Sequence, residues 1–271
     1  MSLSTNSKYA FAVVIGVIVA SASVFLLMNP AQEPAKEIEV RLLLNAGVMI
    51  EANGVRIYVD PLYIPSNYTD LPADVVLITH PHTDHYSVSD LNDIVTNDTL
   101  FVCPANMTDA IDRFDGVGVN PGDSFLVEGI NITAFPLYLP DYPSGVQSVH
   151  PESANWTSFI IDIDGFTIYH AGDNKYIDEY EELVGSIDLA FLPIYFDGGL
   201  GDLNASLYPI VQSINVIQPT YTIPTHFAGD NRETFLSEYS ILVENPTNEI
   251  LDVPYFTFLT FTSEGTLIQS P

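Results

Sequence analysis

From residue 38 onward, short apolar and β-branched runs alternate with polar turns. Residues 40–44, 56–59, 75–78, 131–135, 157–163 and 166–169 have the length and composition of strands. Asn53-Gly54 separates the apolar run 48–50 from 55–59, and Asp164-Gly165 separates 161–163 from 166–168. Both dipeptides accept the positive φ angles of a two-residue hairpin turn, so each pair of runs is predicted to fold back on itself. The second half of the chain adds helix-like stretches at 178–184, 205–217 and 232–243. Strands and helices mixed in this order predict layered α/β packing. No low-complexity tract, internal repeat or second linker interrupts residues 38–271, which read as one domain.

The first residues follow a different pattern. Residues 9–28 form an uncharged stretch of 20 residues just after Lys8, long enough to cross a bilayer as a helix. Ala20-Ser21-Ala22 resembles a small-residue cleavage site, the mark of a removed signal peptide. The apolar run nevertheless continues through Val24-Phe25-Leu26-Leu27-Met28, which favours an uncleaved transmembrane anchor. No cysteine follows the run, so a lipoprotein anchor is excluded. The expected organisation is a tail at 1–8, an anchor at 9–28, a Pro-bearing tether at 29–37 and a catalytic domain at 38–271. Lys8 on one side of the anchor and Lys36 and Arg41 on the other do not fix its orientation.

Charge narrows the partners. Seven Lys+Arg stand against 35 Asp+Glu, a formal net charge of -28, which repels nucleic acids and anionic lipid headgroups. Asn-x-Ser/Thr sequons occur at Asn67, Asn97, Asn106, Asn131, Asn155 and Asn204. With the acidic surface, they point to a domain outside the cytoplasm. Cys103 is the single cysteine, so no intrachain disulfide forms, and its place in Leu100-Phe101-Val102-Cys103-Pro104 predicts a small core residue.

The chemistry concentrates in His80-Pro81-His82-Thr83-Asp84-His85, directly after the apolar run 73–78. Four ligand-type side chains in six positions, where a strand gives way to a loop, are costly to desolvate unless something binds them. His80 and His82, two apart, project to one side, and Asp84 and His85 face a second point. A solvated polar loop is the plain alternative.

This His-x-His-x-Asp-His string resembles the metallo-β-lactamase superfamily. Tyr58-Val59-Asp60-Pro61 occupies the place of the family's early hairpin ending, and His150, Asp173 in Tyr169-His170-Ala171-Gly172-Asp173, and His226 follow in the family's order. The Tyr-His-Ala-Gly-Asp form is most similar to a lactonase-like branch of small single-domain hydrolases. The resemblance implies a four-layer αββα sandwich carrying two divalent ions, zinc before manganese or iron. It assigns His80, His82 and His150 to one ion, Asp84, His85 and His226 to the other, and Asp173 to both. Asp84 doubles as a catalytic proton relay, Asp60 orients a ligand histidine, and His170 takes a supporting place outside the ligand set. The implied activity is hydrolysis of an ester, lactone, amide or phosphodiester in a small molecule by a hydroxide held between the ions. The β-lactam-cleaving branch commonly uses a cysteine ligand, and Cys103 lies far from every motif, so β-lactamase activity is not expected. Nuclease branches carry an inserted domain for which this chain has no room. Tyr138, Tyr142, Trp156, Tyr195 and Phe196 lie beside the motifs and are candidate pocket residues. The competing reading is a membrane-anchored scaffold that keeps a metal only for stability.

Overall fold

The computed structural model describes residues 35–269, within a compact unit that begins at Ala35. The expected anchor at 9–28 lies outside the described residues. Among the described residues, no helix is long and apolar enough to cross a membrane. Within the described residues Lys36 pairs with Asp164 and Glu37 opens the first strand, so the folded unit includes the last residues of the stretch expected as a tether.

The first sheet draws on β1 (Glu37–Leu42), β2 (Val48–Ala52), β3 (Val55–Val59), β4 (Val75–Leu77), β5 (Leu100–Pro104) and β6 (Val117–Val119). The second holds β7 (Ser124–Val127), β8 (Ile130–Leu137), β9 (Trp156–Ile163), β10 (Phe166–His170), β11 (Leu189–Pro193), β12 (Tyr221–Thr225) and β13 (Glu249–Ile250). The chain then returns to the first sheet, where β14 (Phe258–Thr262) pairs antiparallel with β1 and β15 (Leu267–Gln269) forms the edge. Each sheet begins with antiparallel hairpins and turns parallel further on: β3 through β6 in one, β10 through β13 in the other.

Residue alternation explains the layering. In β3, Ile57 and Val59 face the second sheet while Tyr58 faces outward to helices. In β10, Ile168 joins the core between the sheets and Tyr169 joins the opposite outer layer. Strands covered on both faces read as continuous apolar runs, which is why these segments stand out in the sequence. On the first sheet lie α1 (Val88–Ile94) and α2 (Thr108–Phe114), which contribute Leu91, Ile94 and Ala110 to a layer with Phe101 and Cys103. On the second lies α3 (Leu203–Ile217), which buries Leu207, Ile210, Val211, Ile214 and Ile217 against Ala190 and Leu192. The order helix, sheet, sheet, helix is the expected αββα sandwich, and Cys103 is a fully buried core residue.

Candidate metal centre

Asp60 follows β3, His80 to His85 follow β4, Asp173 follows β10 and His226 follows β12. Each position is the carboxyl end of a strand, where the rigid sheet stops and the chain is free to aim side chains. His150 comes from the loop joining β8 to β9, and Leu139 N–H donates to its carbonyl at 2.8 Å to close that loop.

The structure brings all seven expected ligand residues together in two sets whose ligating atoms lie within 4.8 Å of one another. One set is His80, His82, His150 and Asp173; the other is Asp84, His85 and His226. His80 Nε2 lies 3.1 Å from His82 Nδ1 and 3.3 Å from His150 Nε2. Asp173 joins the sets, because its Oδ2 is 3.0 Å from His150 Nε2 while its Oδ1 is 2.9 Å from His85 Nε2 and 3.4 Å from His226 Nε2. Asp84 Oδ2 completes the second set at 3.2 Å from His226 Nε2. The centre is buried apart from Asp84, whose side chain is 49% exposed, and the partly buried His82 and His226, so it opens to solvent on that side.

Hydrogen bonding accounts for only part of this convergence. His85 Nε2, His226 Nε2 and Asp173 Oδ1 are buried without an aligned hydrogen-bond partner despite their short separations. Imidazole nitrogens and carboxylate oxygens aimed at shared points fit the donor set of a divalent cation. The electrostatics agree. Burial disfavours charge on His85, but the Asp173 and Asp60 carboxylates outweigh it and hold the ring well above the ordinary imidazole value. Burial likewise works against the Asp173 carboxylate, yet His85 and His226 hold it well below the usual range. His80 moves the other way, because burial and the neighbouring His85 both disfavour its charged form. Surroundings that keep a proton on His85 favour a metal cation in its place.

The supporting side chains are as ordered as the ligands. Asp60 accepts from His85 Nδ1 at 2.8 Å and from Thr79 N and Oγ1 at 2.8 and 2.6 Å, the orienting place expected for it. His170 donates from Nε2 to the Ala46 carbonyl at 2.6 Å and accepts the Gly172 N–H at Nδ1, so both ring nitrogens are committed away from the centre. Gly172 sits at a φ of 57° with Leu137 and Thr79 pressed against it, and a Cβ there would lie 2.7 Å from Leu137. Only glycine lets the chain turn into Asp173 at this point.

Sequence reasoning missed four supports. Asn45, in the left-handed region at φ 59°, donates from Nδ2 to the Asp84 carbonyl at 2.8 Å. Its own carbonyl accepts the His226 N–H at 2.9 Å, so one residue fixes two ligands of the second set. On the other side, Asp197 accepts from the Tyr142 hydroxyl at 3.2 Å, and Gly199 lies under the Tyr142 ring, where a Cβ would come within 2.3 Å of it. This contact pins the loop that carries His150. Lys175 is buried, donates to the Tyr195 and Ser206 carbonyls, and lies 3.9 Å from the Tyr195 ring centroid. Burial lowers its pKa to about 8 against the opposing pull of Asp173 and Asp197. Asn45 carries no alternation or motif signal in the sequence. Gly199 follows Gly198, a pair that marks a special backbone position.

The aromatic candidates divide. Trp156 packs on His80, His82 and His150 with ring centroids 5.2, 5.1 and 5.7 Å away, and Tyr195 packs on His226 at 4.7 Å. Tyr142 serves the loop contact above. Tyr138 instead hydrogen-bonds Glu179 and packs with the helices of the second sheet, and Phe196 is 51% exposed.

Comparison with known proteins places this geometry. A family model described as the beta-lactamase superfamily domain matches residues 40–227, which include every ligand candidate. A metal-dependent hydrolase of Pyrococcus abyssi is 29% identical over 206 residues, covering 70% of this chain and 84% of that protein. Igni18, a metallo hydrolase from Ignicoccus hospitalis, superposes with a TM-score of 0.63 at 21% identity, covering 83% of this chain and 98% of its own. CmlA, a diiron beta-hydroxylase from Streptomyces venezuelae, gives a TM-score of 0.61 at 15% identity over 84% of this chain and 54% of its own. At these identities the two structures speak for the fold alone.

Proposed function

The chain belongs to the beta-lactamase superfamily, and from that premise we propose that Asp173, between the two ligand sets, would help hold two divalent cations in a hydrolytic centre for small neutral or weakly charged substrates. The chain is a metal-dependent hydrolase of the metallo-β-lactamase fold. The bond cleaved is an ester, lactone, amide or phosphodiester. The observation that carries this reading is the split of Asp173: one oxygen faces His80 and His150, the other faces His85 and His226.

Divalent ions in such a centre supply Lewis acidity and lower the pKa of water towards ~7. The side chains do the rest. Asp60 holds His85 in one ring orientation through Nδ1, leaving Nε2 turned to the centre. Thr79 does the same for His80 through its hydroxyl, 2.9 Å from Nδ1. Asp84 stands at the open side, held below the usual carboxylate range by His226 first and His85 next, against the effect of its own burial. A half-exposed carboxylate there is placed to take a proton from the reacting site and pass it to solvent. Zinc is the first choice of ion for this His/Asp set, with manganese and iron accepted by the same donors.

The membrane part of the reading rests on sequence. Residues 9–28 anchor the domain, and the acidic surface and six sequons, each with an exposed asparagine, support a place outside the cytoplasm. The scaffold alternative would be favoured by a missing ligand, and each expected ligand is in place.

The test combines metal analysis of the purified chain with a panel of chromogenic esters, lactones, amides and phosphodiesters. The reading expects about two ions per chain and turnover of one class, abolished by chelation and restored by metal. Full metal loading without turnover of any class would favour the scaffold.

A further inference from the structure

Trp156 is the single tryptophan of the chain and sits at the start of β9. Its ring touches the three histidines of one set, and the same side chain borders a surface cavity of about 390 Å³. Pro81, between two ligand histidines, lines that cavity too, with Tyr86, Met107, Ala110 and Ala154 as its apolar side and Asn106, Thr108 and Asp109 at its polar edge. The cavity and the metal centre therefore share a wall.

Its lining is unusual for this molecule. The other main cavities are edged by carboxylates: Glu37, Glu39, Glu51 and Asp74 around one, Asp230, Glu233 and Asp252 around another, Asp112 and Asp115 around a third. The cavity beside Trp156 has one, Asp109, and no Lys or Arg. In a chain of net charge -28, a mainly apolar concavity beside the metal centre is a place suited to an apolar ligand group. The lining itself offers no Lys or Arg to pair with an anionic group. The Trp156 indole N–H is buried without an acceptor, so packing rather than a hydrogen bond keeps the ring between the histidines and the cavity.

We infer that this cavity binds a neutral alkyl or aryl group of the molecule cleaved at the metal centre, so that the natural substrate is an apolar ester, lactone or amide. The inference rests on the hydrolytic reading for the cleavage, and on the cavity alone for the binding. Burial of each methylene contributes roughly fourfold in affinity until the cavity is full.

Two measurements on the metal-loaded full-length chain separate these parts. The first follows Trp156 emission, which comes from this residue alone, during titration with straight-chain alcohols from propanol to octanol. The second compares kcat/KM for p-nitrophenyl acetate, butyrate and hexanoate. Both should improve roughly fourfold per methylene over the first few carbons. Ala154→Phe should fill the cavity and flatten both series while two ions per chain are retained. Met107→Ala should enlarge it and move the preferred chain length upward, which keeps the test open if the phenylalanine variant fails to fold. An alcohol response independent of chain length, or a series unchanged in both variants, would overturn the cavity assignment. Chain-length dependence of the emission without turnover of any ester would leave the binding assignment standing and remove the hydrolytic one.

Discussion

His80, His82 and His150 share one packed indole, with the Thr79 hydroxyl on His80 as the one side-chain hydrogen bond from outside the ligands, whereas Asp84, His85 and His226 are ordered mainly by Asp60 and Asn45. In the first set one indole lies against all three rings, His150 Nδ1 has no partner, and the His150 loop is pinned by Tyr142 over Gly199. In the second set Asp60 binds His85, and Asn45 binds the backbone of both Asp84 and His226. The backbone shows the difference as well: Asn45, Asp60 and His226 all have positive φ, a conformation that persists only where surrounding bonds enforce it. Packing tolerates small shifts but fails when volume changes, while a buried hydrogen-bond network fails when one partner is removed. The two sets should therefore respond to different substitutions.

The largest effect is expected where the sets meet. Asp173→Ala removes an oxygen from each set, and metal analysis should show loss of both ions rather than one. Next comes Asp60→Ala, which strips partners from the buried Thr79 N–H and His85 ring together. A buried ion pair broken on one side costs roughly 3–5 kcal/mol, and urea denaturation of the metal-free protein should show a loss of that order. A loss under about 1 kcal/mol would mean that Asp60 is not what orders the second set.

Smaller substitutions separate the sets. Gly199→Ala drives a methyl into the Tyr142 ring and should weaken the first ion about 10–100-fold with the second nearly unchanged. Asn45→Ala should do the reverse. Competition titration with a chromogenic chelator measures both, and equal losses in either variant would erase the distinction.

The weakest expected effect is on pH. In the metal-free protein Asp173 and Asp60 overcome burial and hold His85 above its unfolded value. The stabilisation from that proton is full below an imidazole's ordinary pKa of ~6.5 and is lost as pH rises through the raised folded value. An ion entering the second set must displace it, so affinity there should climb with pH across neutrality. Burial and His85 hold His80 below its ordinary value, so its ring adds little to the pH dependence of the first ion, which should be weaker than that of the second. Calorimetry in buffers of different ionisation enthalpy counts the protons released, with more expected for the second ion than for the first.

Much of the framework was legible in the sequence for local reasons. Asn53-Gly54 and Asp164-Gly165 form the expected hairpin turns, each residue at positive φ, and the ligand motifs stand at strand ends because the apolar runs before them are strands. The helix expected at 178–184 is a 3-10 helix at Asp178–Leu183, and the stretch 232–243 breaks into the short helix Asn231–Thr234, a π-helical turn and a 3-10 turn. Both depart from regular helix where loops must fit the outer layer. The seven-residue helices α1 and α2 went unseen, being too short to show a repeat of apolar positions. The pairing of β14 with β1 joins residues more than 200 positions apart, and nothing local encodes it. Asn45 was hidden for the same reason, since its importance lies in two partners distant in the chain.

The central claim is the proposal that Asp173 would serve two neighbouring ions, and X-ray absorption at the metal edge of the fully loaded protein tests it most directly. The account predicts a metal–metal scattering path at about 3.5–4 Å in the native chain. A spectrum with imidazole scattering and no such path, at two ions per chain, would contradict it.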